Sequence, residues 1–261
     1  TICNASCLSC HRFMSQRKGE MPLELITEVL DDISQWNIPL TEIVPVNYGE
    51  FFLREDWYEI LYMINIKAPA TRIVIPTNGS MLDKDAVNKI CRIPSVRIVN
   101  FSVNAYFDET YKNFMGFPPE NIKQIRQAVA LFRILRSDIT LWASMVFDPL
   151  YQTDLERDEF IKYWSGYATP QILPPASAGR RDHKPMNPVL LPCRSIFSDF
   201  VIGFDRKLSS CCFDSGFSIS LGEYSGDLRK DWQNEQITEL RRLHNDGRRT
   251  EIGLCKQCSF A

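Results

Sequence analysis

Cys3, Cys7 and Cys10 open the chain with the spacing C-x3-C-x2-C, three thiols within eight residues. An iron-sulfur cubane takes four thiolates, so a tight triplet with no fourth local cysteine leaves one iron for a ligand that is not protein. Two other chemistries use the same residue types. Zinc takes four Cys or His ligands in a tetrahedron, and His11 would be the fourth, although adjacent residues rarely reach one metal. A disulfide framework is disfavoured, because nine cysteines is an odd number and a chain of this length buries a full core without staples.

The elements that must position this triplet alternate. Short β-branched runs at 42–46, 72–76, 96–103, 139–147 and 171–173 are interleaved with amphipathic stretches at 23–36, 57–66, 84–91, 121–135 and 158–166, the pattern of β-α units around a parallel sheet. With a strand ending at Ile2 the count is six, too few for a closed eight-fold barrel. The expected fold class is therefore α/β, a partial (β/α)6 TIM-like barrel over residues 1–178. The expected second part, 179–261, is a Pro-rich linker and a small α+β domain. The first residue is Thr1 and not Met, which suggests a chain that naturally begins earlier, with its first strand clipped. Ligands of such barrels sit at the carboxyl ends of the strands. The triplet follows the first strand, Asn47-Tyr48-Gly49-Glu50 the second and Thr77-Asn78-Gly79 the third, while Ser102 and Asn104 end the fourth.

These residues in register resemble the radical S-adenosylmethionine (SAM) superfamily across residues 1–175. The resemblance implies that SAM completes the cluster of Cys3, Cys7 and Cys10 through its amino and carboxylate groups, and that it is reductively split to a 5′-deoxyadenosyl radical. Gly49-Glu50 matches the family's Gly-Glu motif, whose carboxylate suits the SAM ammonium. Ser102 and Asn104 then meet the ribose and carboxylate, with Thr77 and Asn78 lining the mouth. One departure is Ser9, where the family carries a large or aromatic residue near the adenine; Leu8 or Phe13 would cover the ring instead.

Beyond the linker, Cys193, Cys211, Cys255 and Cys258 fall as C-x17-C-x43-C-x2-C around a hairpin signature at 200–211 and an amphipathic helix at 235–244. This tail resembles the twitch domain, the shortened SPASM extension, through the hairpin, Leu221-Gly222-Glu223, Trp232, the helix with Leu240, Arg241 and Arg242, and the closing Cys-x-x-Cys. The resemblance implies a second, auxiliary [4Fe-4S] cluster; a zinc ribbon uses the same four thiolates. Arg206 stands where the hairpin commonly carries Gly. Cys212, next to a ligand, is open to three roles: spare ligand, hydrogen-atom donor or inert core thiol. Cys91 reads as packing.

Four thiolates on the auxiliary cluster leave no iron for substrate, so its implied role is electron transfer. That suits a two-electron oxidation, and the nearest family parallel in length and cysteine spacing acts on an aminocyclitol alcohol. A base and a cation are then needed at the alcohol; Arg180, Arg181 and His183, with Asp182, lie past the last strand and are the candidates. The rival enzyme reading is a peptide-modifying member or an epimerase using Cys212 as hydrogen donor. A non-catalytic electron carrier or zinc module would not need the polar rim. The substrate is a small molecule or a peptide, and an external one-electron donor such as flavodoxin or ferredoxin is implied.

Composition fits these classes: 44% hydrophobic, 24% charged, formal net charge −2. Neither nucleic acid nor membrane is an expected partner, since no basic excess and no apolar run near ~18 residues is present, and reduced thiols suit the cytoplasm. Trp36, Trp57, Trp142 and Trp164 read as core; Tyr48, Tyr106 and Tyr111 as candidates for the cavity mouth; Glu55-Asp56 and Arg248-Arg249 as solvated surface.

Overall fold

The computed structural model describes residues 1–175 and 189–260. Its contacts divide the chain into two compact units, one of residues 2–9 and 36–175, the other of Thr1 with residues 10–35 and 189–260.

The first unit is a five-stranded parallel sheet in chain order, β1 (Glu42–Ile43), β2 (Arg72–Thr77), β3 (Val96–Ser102), β4 (Thr140–Val146) and β5 (Thr169–Leu173). Near-continuous apolar runs mark strands covered on both faces. Ile73, Ile75, Val96, Val99, Phe101, Ala143 and Met145 are all fully buried. Helices α2 (Trp57–Lys67), α3 (Lys84–Cys91), α4 (Asp108–Met115), α5 (Glu120–Leu135) and α6 (Asp154–Trp164) connect the strands. Asp83 and Thr153 cap α3 and α6 by accepting the amides of Ala86 and Glu156 at 2.8 and 3.2 Å, each cap contributing about 1 kcal/mol. This is the α/β partial barrel expected from the sequence, with five strands instead of six. Ile2 forms no strand; its carbonyl accepts one ladder-like bond from the Glu50 amide at 2.8 Å. Helix α4, which the periodicity did not predict, fills the connection between β3 and β4. Of the four tryptophans assigned to the core, Trp164 is fully buried and Trp36, Trp57 and Trp142 are half-buried.

The second unit contains α1 (Leu23–Ser34), α7 (Ser195–Ser198), an antiparallel hairpin of β6 (Val201–Ile202) and β7 (Leu208–Ser209), α8 (Leu228–Asp231) and α9 (Glu235–Asn245). Arg206 in the hairpin loop has φ +69°, the left-handed conformation that Gly adopts without cost. Here the guanidinium is held by Glu28 on α1 through two bonds of 2.7 and 2.8 Å. A small core of Ile219, Ile252 and Cys255 carries Leu240, Leu243 and Leu254 against it.

Candidate functional site

Within the first unit the rim is organised around one buried carboxylate. Gly49, at φ +124°, turns the chain into Glu50. Glu50 is 4% exposed. Its Oε1 accepts from the Thr77 hydroxyl at 2.8 Å and the Phe52 amide at 3.3 Å, and its Oε2 from the Asn78 amide at 2.7 Å. Burial raises its pKa above the ordinary glutamate value, and the three donors oppose that shift. Among the described residues no cation pairs with it.

Asn78, 5% exposed, donates to the Asn4 side chain at 2.9 Å and accepts from the Ser80 amide at 2.9 Å. The loop between Cys3 and Cys7 is thereby tied to the end of β2. Asn121, at the start of α5, donates to the Asn78 carbonyl at 3.1 Å and to the Tyr111 hydroxyl at 2.5 Å. Tyr111 therefore does not line a mouth: it is fully buried on α4, and burial pushes its phenol up to about 12.

The cysteine loop rests on the carboxyl end of α4. A helix leaves its last carbonyls without internal donors, and here the amides of Ser6 and Leu8 reach Met115 O and Phe114 O at 3.1 and 2.9 Å. Gly116 closes the helix at φ +72°, where a Cβ would stand 1.9 Å from Ser6 Oγ. The Cys7 thiol lies 3.5 Å from the Met115 thioether, which also accepts from the Asn104 amide at 3.1 Å.

Asn104, at φ +60°, is fully used within the fold. Its Oδ1 accepts from the Val146 amide at 2.8 Å and its carbonyl from Gln152 Nε2 at 2.5 Å. Ser102 is half-buried at the end of β3. The following turn is pinned by Glu156, whose buried carboxylate accepts the amides of Tyr106 and Phe107 at 2.9 and 3.0 Å. Neither Gln152 nor Glu156 was expected at the site. The signal for Glu156 was present, since Thr153-x-x-Glu156 is a capping-box spacing. Met115 and Gly116 were missed together with α4.

The second unit carries the other thiols. Cys255 and Cys258 are buried, Cys193 and Cys211 half-buried, and Cys212 exposed. Burial, and secondarily the neighbouring thiols Cys193 and Cys258, hold Cys255 at about 11; Cys211 is raised further, by burial first and then by Cys212 and Cys255 among others. Cys255 thus stands within electrostatic reach of each of the other three ligand candidates. Among the described residues no three Cys, His, Asp or Glu side chains are gathered tightly enough to grip one metal ion. Cys212 follows the hairpin in an irregular segment and not in a strand. Phe213 joins His11, centroids 5.2 Å apart, to Phe260 at 4.8 Å. Arg180, Arg181 and His183 lie outside the described residues, as does Asp182.

The profile of the Radical SAM superfamily matches residues 1–162. The chain belongs to the radical SAM superfamily. The fold of this radical SAM enzyme is shared with solved structures along nearly its whole length. BtrN in complex with AdoMet and 2-DOIA is 17% identical, with a TM-score of 0.68 over 99% of this chain and 89% of that one. The anSMEcpe structure with bound AdoMet is 13% identical, with a TM-score of 0.72 over 98% and 85%. The same protein with AdoMet and the Cp18Cys peptide gives 0.71 over the same shares at 13% identity. No curated protein matches the chain. Radical SAM enzymes use a [4Fe-4S] cluster with SAM, act on small molecules or peptides, and require an electron donor. The residues present fit that equipment: three half-buried thiols, none of them in a disulfide, at Cys3, Cys7 and Cys10, and a buried carboxylate that no cation among the described residues pairs with. Among the described residues no helix is long and apolar enough to cross a membrane.

Proposed function

We propose that this radical SAM enzyme oxidises an alcohol of a sugar or aminocyclitol, with Cys3, Cys7 and Cys10 holding the SAM-binding cluster and Cys193, Cys211, Cys255 and Cys258 an auxiliary [4Fe-4S] cluster. The observation that carries this reading is the presence of the Glu50 site and of a tail in which Cys255 lies within electrostatic reach of Cys193, Cys211 and Cys258, in a fold matching BtrN bound to AdoMet and 2-DOIA over 99% of the chain. When bound, the cluster held by Cys3, Cys7 and Cys10 would supply the electron that splits SAM, and one held by Cys193, Cys211, Cys255 and Cys258 would accept the electron released by the substrate.

The chain's own residues bind and orient. Glu50, fixed by Thr77, Asn78 and Phe52, receives the SAM ammonium; a buried carboxylate without an internal cation gains its counter-ion when SAM arrives. Gly49 allows close backbone approach. Ser102 meets the ribose or carboxylate, and Asn104, whose amide is committed to Met115 and Val146, acts on that contact by holding the turn. Loss of a substrate hydrogen atom to the deoxyadenosyl radical leaves a carbon radical. Departure of the hydroxyl proton and one electron then completes a ketone, and Arg180, Arg181 and His183 are the candidates to take that proton and steady the oxygen. The domain boundary near 178/179 belongs to the same proposal. A second reading, modification of a peptide or epimerisation with Cys212 as hydrogen donor, is favoured by that thiol's exposure and by the fold likeness to anSMEcpe with bound peptide.

The test is anaerobic reconstitution followed by addition of SAM and a low-potential reductant. About eight irons per chain with deoxyadenosine formation, and a two-electron oxidised product from an aminocyclitol, support the proposal. Product of unchanged oxidation state that carries solvent hydrogen favours the second reading.

A further inference from the structure

Arg248 and Arg249 are neighbours in sequence and opposites in environment. Arg248 is exposed and pairs with Glu251 at 2.7 Å. Arg249 is 0% exposed, the only lysine or arginine fully buried among the described residues, which corrects the expectation that both are solvated. No carboxylate lies within ion-pair distance of it among those residues, and its Nε has no hydrogen-bond partner.

A buried cation left without a counter-ion is strongly destabilising, so something must answer it. Its two terminal nitrogens donate to Leu191 O at 2.7 Å and Phe260 O at 2.8 Å. Leu191 is two residues before Cys193, and Phe260 two residues after Cys258. The amide of Val189 reaches Cys258 O at 3.2 Å, joining the same two segments. The guanidinium therefore clasps the chain on either side of the first and last thiols, and its charge bears on Cys255, working against the upward push of burial on that thiol. His244 completes the arrangement: fully buried, it accepts the Cys193 amide on Nδ1 at 3.0 Å, which places its proton on Nε2. Asp214, also buried, adds negative charge and is met by its own donors, Ser218 N and Oγ and Ile219 N at 2.8, 2.9 and 2.7 Å.

We propose that Arg249 is the buried counter-ion of the four-cysteine centre, a positioning residue that holds the first and last ligand segments together and favours uptake of an electron there. The inference rests on the auxiliary-cluster reading above. A cubane with four thiolates is an anion whose charge grows by one on reduction, and the net charge around a cluster is among the determinants of its potential. A nearby cation with no other partner stabilises the reduced form.

The experiment uses the full chain with Cys3, Cys7 and Cys10 all changed to Ala, so that only the auxiliary centre is read. Iron per chain and the midpoint potential, by EPR-monitored titration, are compared for this parent, Arg249→Met and Arg249→Lys. The expected result is a more negative midpoint in Arg249→Met, with at least a tenfold lower reduced-to-oxidised ratio at fixed potential, or about 59 mV for one electron. Arg249→Lys, which keeps the charge and loses the two-armed clasp, is expected to recover most of that shift. An unchanged midpoint in an iron-replete Arg249→Met overturns the counter-ion role while leaving the auxiliary cluster standing. Where Arg249→Met holds no iron, Arg249→Lys decides: a cluster with the parental midpoint supports the role, and loss of iron from both variants reduces the residue to a scaffold of the tail and overturns it. A parent that takes up no iron overturns the auxiliary-cluster reading and this inference together.

Discussion

Glu50 in the sheet unit and Arg249 in the tail unit are buried groups of opposite charge, and neither has an ion-pair partner among the described residues. The Glu50 carboxylate is met by a hydroxyl and two amides; the Arg249 guanidinium is met by two carbonyls. Neutral hydrogen-bond partners orient a charge and reduce its desolvation cost without cancelling it. The difference in sign is what the two proposals above rest on: a carboxylate suits a ligand bearing an ammonium, and a guanidinium suits an anionic centre. Backbone groups supply two of the three contacts of Glu50 and both contacts of Arg249, and point mutations disturb such groups least.

The comparison breaks most completely at Gly116. Any side chain there meets Ser6 Oγ and pays about 1–2 kcal/mol for the left-handed backbone alone. Gly116→Val is expected to abolish deoxyadenosine formation and to halve iron uptake, leaving the tail's iron in place; loss of all iron would show that the units do not load separately. Glu50→Gln tests the carboxylate itself. Loss of a charged hydrogen bond worth about 1.5–3 kcal/mol should weaken SAM binding at least tenfold in calorimetry, with iron content unchanged.

The same variant sharpens the comparison through pH. Because burial raises the Glu50 pKa in the fold, folding favours the protonated form relative to the unfolded chain. Its stabilising contribution is complete below the ordinary value of 4.5 and is lost as pH rises through the raised value. Glu50→Gln should therefore gain stability relative to the parent as pH climbs through that window, read as a widening difference in urea midpoint, while parental SAM affinity falls as pH drops through it. A constant difference across that range would mean that the carboxylate is not strained by burial.

Asn121→Ala removes the donor shared by Asn78 O and Tyr111 Oη, and a destabilisation of about 1–3 kcal/mol is expected from denaturant titration, with SAM affinity reduced because Asn78 positions Glu50. The smallest effect is expected in the tail at Arg206→Gly. It relieves a left-handed residue and removes the pair with Glu28, so the two changes offset and Tm should move less than in any variant above.

The sheet was largely legible because β2, β3 and β4 are buried on both faces and are written in β-branched and aromatic residues. The ends were less so: β1 shrinks to Glu42–Ile43, where Pro45 interrupts the run. Helix α4 escaped because its apolar face is only Tyr111, Phe114 and Met115 over eight residues, too short for periodicity to declare itself, although Asp108-Glu109 and Gly116 mark its two ends. The cysteines and Glu50 were visible as motifs. Glu156 showed only a capping-box spacing, and Gln152 and Arg249 showed nothing, because nothing local distinguishes a polar side chain that serves distant backbone from one that faces water; the partners of Arg249 lie 58 and 11 residues away.

The bonds from Ser6 and Leu8 to the end of α4 also set an order in time. A ribosome adding about 5–20 residues per second completes the cysteine loop at once and its seat only after Gly116, several seconds later. Throughout that interval the three thiols have nothing to rest on. The cysteine loop is thus fixed long after it is made, and its exposure to oxygen falls while the chain is still being built.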